Sequence, residues 1–222
     1  MWQELKRLLQ DIFYPLICLN CSEHALDGTL FCPRCRKLFL PHLQKGRDSF
    51  TYVQAVAYLH SYDSKVKKAL HLVKYAGARD LLPRMAEEVL RGLKFIELQE
   101  LWQLEGELCV VPIPTEPTRL KERGYDIPVR IFSPWCQRNK LRLLPLLARK
   151  CGCPPQYGLT KALRRLNVEN SFTLTGQVVG LRIILVDDIY TSGATLEEAA
   201  KALLKAGAKV VYGLAFSSGQ DQ

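Results

Sequence analysis

An α/β fold built on a parallel sheet, preceded by a small cysteine-rich module, is the architecture this sequence predicts. The clearest sign is near the C-terminus, where an apolar strand-like run from Leu181 to Val186 is followed by a turn. A helical stretch from Leu196 to Lys205 comes next, ended by Gly207, and a second strand-like run spans Lys209 to Phe216. One such βαβ unit implies parallel pairing, because a helical crossover returns the chain to the same edge. A second sign is the apolar run Leu108-Cys109-Val110-Val111-Pro112-Ile113-Pro114, which reads as a buried strand stopped by prolines. A third is the contrast with residues 1–50, which are polar, rich in turn-formers and carry four cysteines in two Cys-x-x-Cys pairs.

Residues 1–50 are therefore expected to form a four-cysteine zinc module and residues 51–222 the main domain. Within the latter, Tyr52 to Tyr58 alternates as a strand does, and Asp63-Ser64 precedes a helix with Val66, Leu70 and Val73 on one face. A second helix is expected over Leu82 to Leu93. A third is expected over Phe132 to Ala148, limited by Pro134 and Pro145, and Cys151 to Gly158 reads as a Pro- and Gly-rich loop.

No apolar run approaches the roughly 18 residues that span a bilayer, and Met1 to Lys6 lacks a signal-peptide layout. A soluble cytoplasmic protein without membrane insertion is expected. The formal charge is +9, and it is concentrated: Arg119 to Arg165 holds twelve Lys or Arg against Glu122 and Asp126. Such a block is either a solvated face or an attractor of polyphosphate or nucleic acid.

Cys18-Leu19-Asn20-Cys21 and Cys32-Pro33-Arg34-Cys35 are two knuckles separated by ten residues. Each presents two thiolates, and together they complete the tetrahedral shell that structural Zn²⁺ prefers. A redox dithiol is the competing reading. His24 is not needed as a ligand and is expected to face solvent. Cys109 and Cys136 fall in apolar stretches and read as core thiols, while Cys151 and Cys153 read as free thiols in a loop.

The most specific chemistry lies in Ile184-Leu185-Val186-Asp187-Asp188-Ile189-Tyr190-Thr191-Ser192-Gly193-Ala194-Thr195-Leu196. Ligands of parallel α/β sheets bind beyond the carboxyl ends of the strands. There the hydroxyls of Thr191, Ser192 and Thr195, with the amides of Gly193 and Ala194, suit one phosphate at a helix N-terminus. Asp187 and Asp188 suit the 2′- and 3′-hydroxyls of a ribose. Diol and phosphate together describe a ribose 5-phosphate. Neither a Walker-type lysine loop nor a Gly-x-Gly-x-x-Gly turn is present, which argues against nucleoside triphosphatase and dinucleotide chemistry.

At these residues the sequence resembles the phosphoribosyltransferase superfamily, and within it the ComF family of competence-associated proteins. A cysteine-rich N-terminus precedes Lys74-Tyr75-Ala76-Gly77, then Val111-Pro112-Ile113-Pro114, then Arg119 with Arg123-Gly124-Tyr125. Gln156, Leu159, Arg164, Asn167 and Phe172 follow, and the aspartate pair comes last. One departure is Asp126-Ile127, where the family commonly has Asn-Gln. The resemblance implies a type I phosphoribosyltransferase fold that binds 5-phosphoribosyl 1-pyrophosphate with Mg²⁺. It further implies Asp187, Asp188 and Arg164 as catalytic candidates, Lys74, Pro114, Arg119 and Arg123 as ligand contacts, and Gln156 to Phe172 as a closing loop. The acceptor of the phosphoribosyl group is not readable from these residues.

Two functions of different class follow. One is transfer of phosphoribosyl to an unknown acceptor, in the setting of DNA uptake and natural transformation. The other is a non-catalytic protein that binds single-stranded DNA through the basic block, with Tyr125, Trp135 and Tyr157 as stacking candidates and the phosphoribosyl site as a nucleotide sensor. The resemblance also allows docking to a competence helicase through the zinc module.

Overall fold

The computed structural model describes residues 17–25, 28–36, 42–45, 50–93, 107–150 and 171–219. Among them the strands are β1 (His42–Lys45), β2 (Ala55–Ser61), β3 (Leu108–Pro112), β4 (Arg142–Leu143), β5 (Leu147–Arg149), β6 (Phe172–Leu174), β7 (Arg182–Tyr190) and β8 (Val210–Ser218). The helices are α1 (Pro33–Arg36), α2 (Ser64–Tyr75), α3 (Leu81–Gly92), α4 (Pro117–Arg123), α5 (Ile127–Arg138) and α6 (Ala194–Lys205). Six strands form one sheet in the order β1-β2-β8-β7-β3-β4, and β5 and β6 form a separate antiparallel ribbon. Every pairing within the sheet is parallel except β1 with β2. The predicted parallel sheet is present, and residues 42–45 add an antiparallel strand to its edge.

The central strands bury both faces, as parallel strands do. Ile184, Val186, Leu214 and Phe216 pack with Val66, Leu70 and Val73 of α2, Met85 of α3 and Ile131 of α5. Their alternate neighbours Ile183, Leu185, Val211 and Ala215 pack with Leu196, Ala199 and Leu203 of α6. Strand periodicity thus separates one sheet into two apolar layers, with α6 alone among the described helices on the second.

Three expected elements are corrected. The strand expected from Tyr52 begins at Ala55, because the amides of Thr51, Tyr52 and Val53 donate to the Glu197 carboxylate at 2.9–3.2 Å. The helix expected over 132–148 is instead α5, which starts earlier: Asp126 caps it, accepting from the Val129 amide at 3.1 Å, and Pro128 fits its first turn. It stops at Arg138, Lys140 takes a φ of 55°, and the chain re-emerges as β4 and β5. The strand ending at Val186 in the sequence reading runs on to Tyr190, since Asp187, Ile189 and Tyr190 still pair with Ala215, Ser217 and Ser218.

The cysteine segment is fastened to this frame. The Arg84 guanidinium donates to the carbonyls of Ile17 and Thr29 at 2.7–3.1 Å, and the Phe31 amide donates to Glu88 at 3.1 Å. Phe31 also lies against His60 of β2, their ring centroids 5.6 Å apart, and His60 lies against Phe216 of β8 at 5.0 Å. Burial holds His60 neutral, with its pKa lowered to about 3.

Candidate functional site

The C-terminal edge of β7 carries both aspartates inside the strand, so the loop proper is only Thr191 to Gly193. Asp188 is buried and accepts a charge-assisted hydrogen bond from Lys74 Nζ at 2.9 Å. Lys74 reaches it because α2 ends beside β7, and Val66, Leu70 and Val73 fix the helix from below. Asp187 turns back on the chain, its Oδ1 accepting from the Asp188 amide at 2.8 Å. Burial opposes charge on Lys74, yet Asp188 and then Asp187 hold its ammonium above the ordinary lysine value. Burial and the adjacent Asp188 charge raise the Asp187 carboxyl well above the usual carboxylate range. The pair therefore presents one firmly paired carboxylate and one that resists ionisation.

Beyond the strand, Gly193 adopts a φ of 77°, and a Cβ there would lie 3.2 Å from the Tyr190 ring. The left-handed backbone favours glycine, and a side chain there would also crowd the Tyr190 ring. Among the described residues the Ala194 amide meets only Ser192 Oγ, at 3.5 Å, and α6 starts without a side-chain cap. Its first-turn amides have no intrahelical acceptors and face the same edge as Thr191 and Thr195. An anion fits this end of the helix chemically.

The Ile113 amide donates to Val186 at 2.9 Å, which carries the β3 edge one residue further. Pro114 then stands level with Asp188, two positions past the Pro112–Val186 pair. Asp126, the departure from the Asn-Gln pattern, has two uses here: besides capping α5 it accepts from the Thr115 amide at 3.1 Å. It thereby pins the loop that follows β3.

Arg119 is partly occupied by Glu116 at 3.4 Å. Arg123 and Arg79 flank the Tyr125 ring at 5.9 and 5.2 Å, while the Tyr125 hydroxyl donates to the Val73 carbonyl at 2.6 Å. Among the described residues neither Arg119 nor Arg123 contacts the aspartates. Tyr125 and Trp135, expected as stacking candidates, are committed to packing: the former by these contacts, the latter by burial at 4% exposure. Arg164, Asn167, Tyr157, Cys151, Cys153 and most of the expected closing loop lie outside the described residues.

Arg149, counted in the sequence only as part of the basic block, is the residue that reading missed. It lies on β5, and its positive charge weakly opposes the rise of the Asp187 pKa, after burial, Asp188 and Lys74. Only the unrecognised strand placement hid it.

Cys18, Cys21, Cys32 and Cys35 converge, with all four sulfurs within 4.8 Å of one another. Cys21 Sγ and Cys32 Sγ lie 3.7 Å apart, close to the roughly 3.8 Å edge of a tetrahedron with metal–sulfur bonds of about 2.3 Å. The Asn20 amide and side chain donate to Cys18 and Cys35 at 3.4 and 3.3 Å, and the Cys35 amide donates to Cys32 at 3.5 Å. Burial opposes the Cys18 thiolate, but these and neighbouring backbone donors lower its pKa to about 6. For Cys21 the Glu23 amide favours the thiolate, whereas burial and the nearby thiols outweigh it and push the pKa up to about 12. At this spacing the four sulfurs could all be thiolates only with a cation among them, and the donor set fits a metal ion. His24 is exposed and stands apart from the cluster, as expected. Cys109 and Cys136 are buried core thiols, also as expected.

This arrangement matches known proteins. The family described as Phosphoribosyl transferase domain matches residues 141–216, which span β4 through most of β8. The chain is 27% identical over 206 residues to DNA utilization protein YhgH of Escherichia coli, covering 88% of this chain and 87% of that protein. It is 33% identical over 121 residues to Competence protein F of Haemophilus influenzae, covering 51% and 52%. To Competence protein ComFC of Bacillus subtilis it is 27% identical over 217 residues, covering 93% and 84%. The fold, with the strand-end aspartates and the glycine loop inside residues 141–216, is phosphoribosyltransferase-like. The relatives point the same way: the chain is similar to proteins named for competence and for DNA utilization.

Proposed function

We propose that the protein binds 5-phosphoribosyl 1-pyrophosphate with Mg²⁺ and transfers its phosphoribosyl group to an acceptor, in the setting of DNA uptake and natural transformation. The observation that carries this reading is the Lys74–Asp188 pair beside the partly exposed, ionisation-resistant Asp187, a short loop away from the capless start of α6. Asp187 and Asp188 accept from the ribose 2′- and 3′-hydroxyls. Thr191, Ser192 and Thr195, with the amides of Gly193 and Ala194, receive the 5-phosphate at the positive end of α6. Lys74 holds Asp188 in place at 2.9 Å, so the diol meets a fixed acceptor. Pro114 shapes the loop that takes the pyrophosphate, and Arg119 and Arg123 lie on the following helix; Arg164 is assigned to the closing loop on the resemblance alone.

When the C1–oxygen bond breaks, its electrons leave with pyrophosphate and positive charge appears on the ring. Preorganised cations facing the leaving oxygens lower that barrier, and no covalent nucleophile on the protein is required. Bound Mg²⁺ supplies further charge neutralisation to the leaving group. The names of the relatives support the DNA-uptake setting, and the cysteine cluster supports structural Zn²⁺ in an N-terminal module within residues 1–50, whose strand at 42–45 joins the sheet of the phosphoribosyltransferase-like domain over 51–222. The activity test is Mg²⁺-dependent release of pyrophosphate with candidate base and amine acceptors. Release is expected from wild type and not from Asp187→Asn/Asp188→Asn, and equal release from both proteins would refute the assignment.

A further inference from the structure

Glu197 stands in the first turn of α6, where an acid ordinarily lies against the free amides of its own helix. Here its side chain turns elsewhere. Both carboxylate oxygens accept from three successive amides ahead of β2: Thr51 at 2.9 Å, Tyr52 at 3.1 and 3.2 Å, and Val53 at 2.9 Å. Successive amides aimed at one point make a concave anion seat, so the carboxylate is satisfied there rather than at the start of α6. The residue before this segment is Phe50, whose ring centroid lies 6.3 Å from that of Tyr190. Tyr190 is buried at 2% exposure, and its ring lies against Gly193, where a Cβ would stand 3.2 Å away. The Glu197 amide donates to the Gly193 carbonyl at 2.9 Å and closes the circuit. Glu197, residues 50–53, Tyr190 and Gly193 thus form a ring of contacts that includes both ends of the loop after β7.

We infer that Glu197 is a positioning residue for the 5-phosphate. By clamping residues 51–53 it holds Phe50 on Tyr190, and through Tyr190 it fixes the loop that presents the Thr191 and Ser192 hydroxyls and the Gly193 and Ala194 amides. The inference rests on the phosphoribosyl reading above and adds what orders the phosphate end of that site. The physical reason is entropy. Gly193 gives the loop more backbone freedom than any other residue would, and Ser192 offers the Ala194 amide only a 3.5 Å contact. A loop already ordered when the ligand arrives spares binding the entropy cost of ordering it. In this arrangement Glu197 acts through Tyr190 and does not touch the ligand.

Phosphorus NMR of 5-phosphoribosyl 1-pyrophosphate, bound at saturation to the full, metal-loaded chain in Mg²⁺, tests this, because the 5-phosphate and the pyrophosphate give separate resonances. In Glu197→Ala the bound 5-phosphate resonance should move toward its free position while the pyrophosphate resonances stay in place. Calorimetric titration with ribose 5-phosphate should show a loss of about tenfold in Glu197→Ala, with Glu197→Gln, which keeps one accepting oxygen, in between. Phe50→Ala should displace the same resonance to a smaller degree. Equal displacement of all the phosphorus resonances would show a merely structural role and overturn the inference. Should Glu197→Ala fail to fold, Glu197→Gln carries the same test at smaller amplitude. Wild-type binding that neither Glu197 variant alters overturns the role of Glu197 alone, whereas wild-type protein that binds neither ligand overturns the phosphoribosyl reading and this inference with it.

Discussion

The cysteine cluster and the strand-end aspartates each gather like-charged ligand groups, and their surroundings treat them differently. The cysteines are turned toward one another, most are buried, and backbone and Asn20 donors already meet their sulfurs. The aspartates keep one member partly open, and beyond them lie amides and hydroxyls with few internal acceptors. A cluster closed by its own neighbours suits a resident ion that holds the fold. One left open beside an uncapped helix suits a ligand that comes and goes. The comparison predicts that damage to the first falls on stability and damage to the second on binding.

The largest effect should follow Cys32→Ser. Loss of one of four ligands is expected to release the metal and destabilise the chain by roughly 3–5 kcal/mol, a fall of about 10 °C in Tm for a chain of this size. Metal analysis and thermal unfolding would measure it, and retention of both metal and Tm would show that the cluster is not a metal site. The damage should spread beyond residues 17–36, because Arg84, Glu88 and His60 tie that segment to α3 and β2.

Next in size is Lys74→Met, which leaves the buried Asp188 carboxyl without its cationic partner and beside Asp187. A cost of about 2–3 kcal/mol is expected, with most of it recovered when Asp188→Asn is added. A double-mutant cycle checks this, and additive losses would mean that the 2.9 Å pair contributes no coupling.

The smallest effect has the opposite sign. Because the folded chain raises the Asp187 pKa, it retains a proton there that the unfolded chain releases once pH exceeds the ordinary carboxyl value of 3.8. The native state then binds more protons, and ionising Asp187 subtracts from stability as pH rises. Asp187→Asn should flatten that slope and raise Tm at neutral pH by about 1–3 °C, while ligand binding is lost. Denaturation across pH would show it, and a lowered Tm would mean that Asp187 supports the fold rather than a ligand.

Local pattern made the last third of the fold legible. The apolar run before Asp187, the glycine that permits a left-handed turn, and the periodicity of α6 are each written within a few residues. The end of β7 was hidden because Asp187 to Tyr190 look like a loop in composition, yet they continue the pairing with β8 to its last residue. β5 and β6 have three residues each, too few for a period to show, so Leu141 to Ala148 resembled a continuing helix. The Lys74–Asp188 pair joins residues far apart in sequence, and no spacing within either segment encodes it. The thiol cluster was legible for the converse reason, since both knuckles sit within eighteen consecutive residues and their chemistry leaves few partners.

Calorimetric titration of metal-loaded wild-type protein with 5-phosphoribosyl 1-pyrophosphate and Mg²⁺, beside Asp187→Asn/Asp188→Asn as control, tests the central claim most directly. Saturable binding by the wild type that the folded control loses is the predicted result. Absence of binding by folded wild type, or equal binding by both proteins, would contradict it.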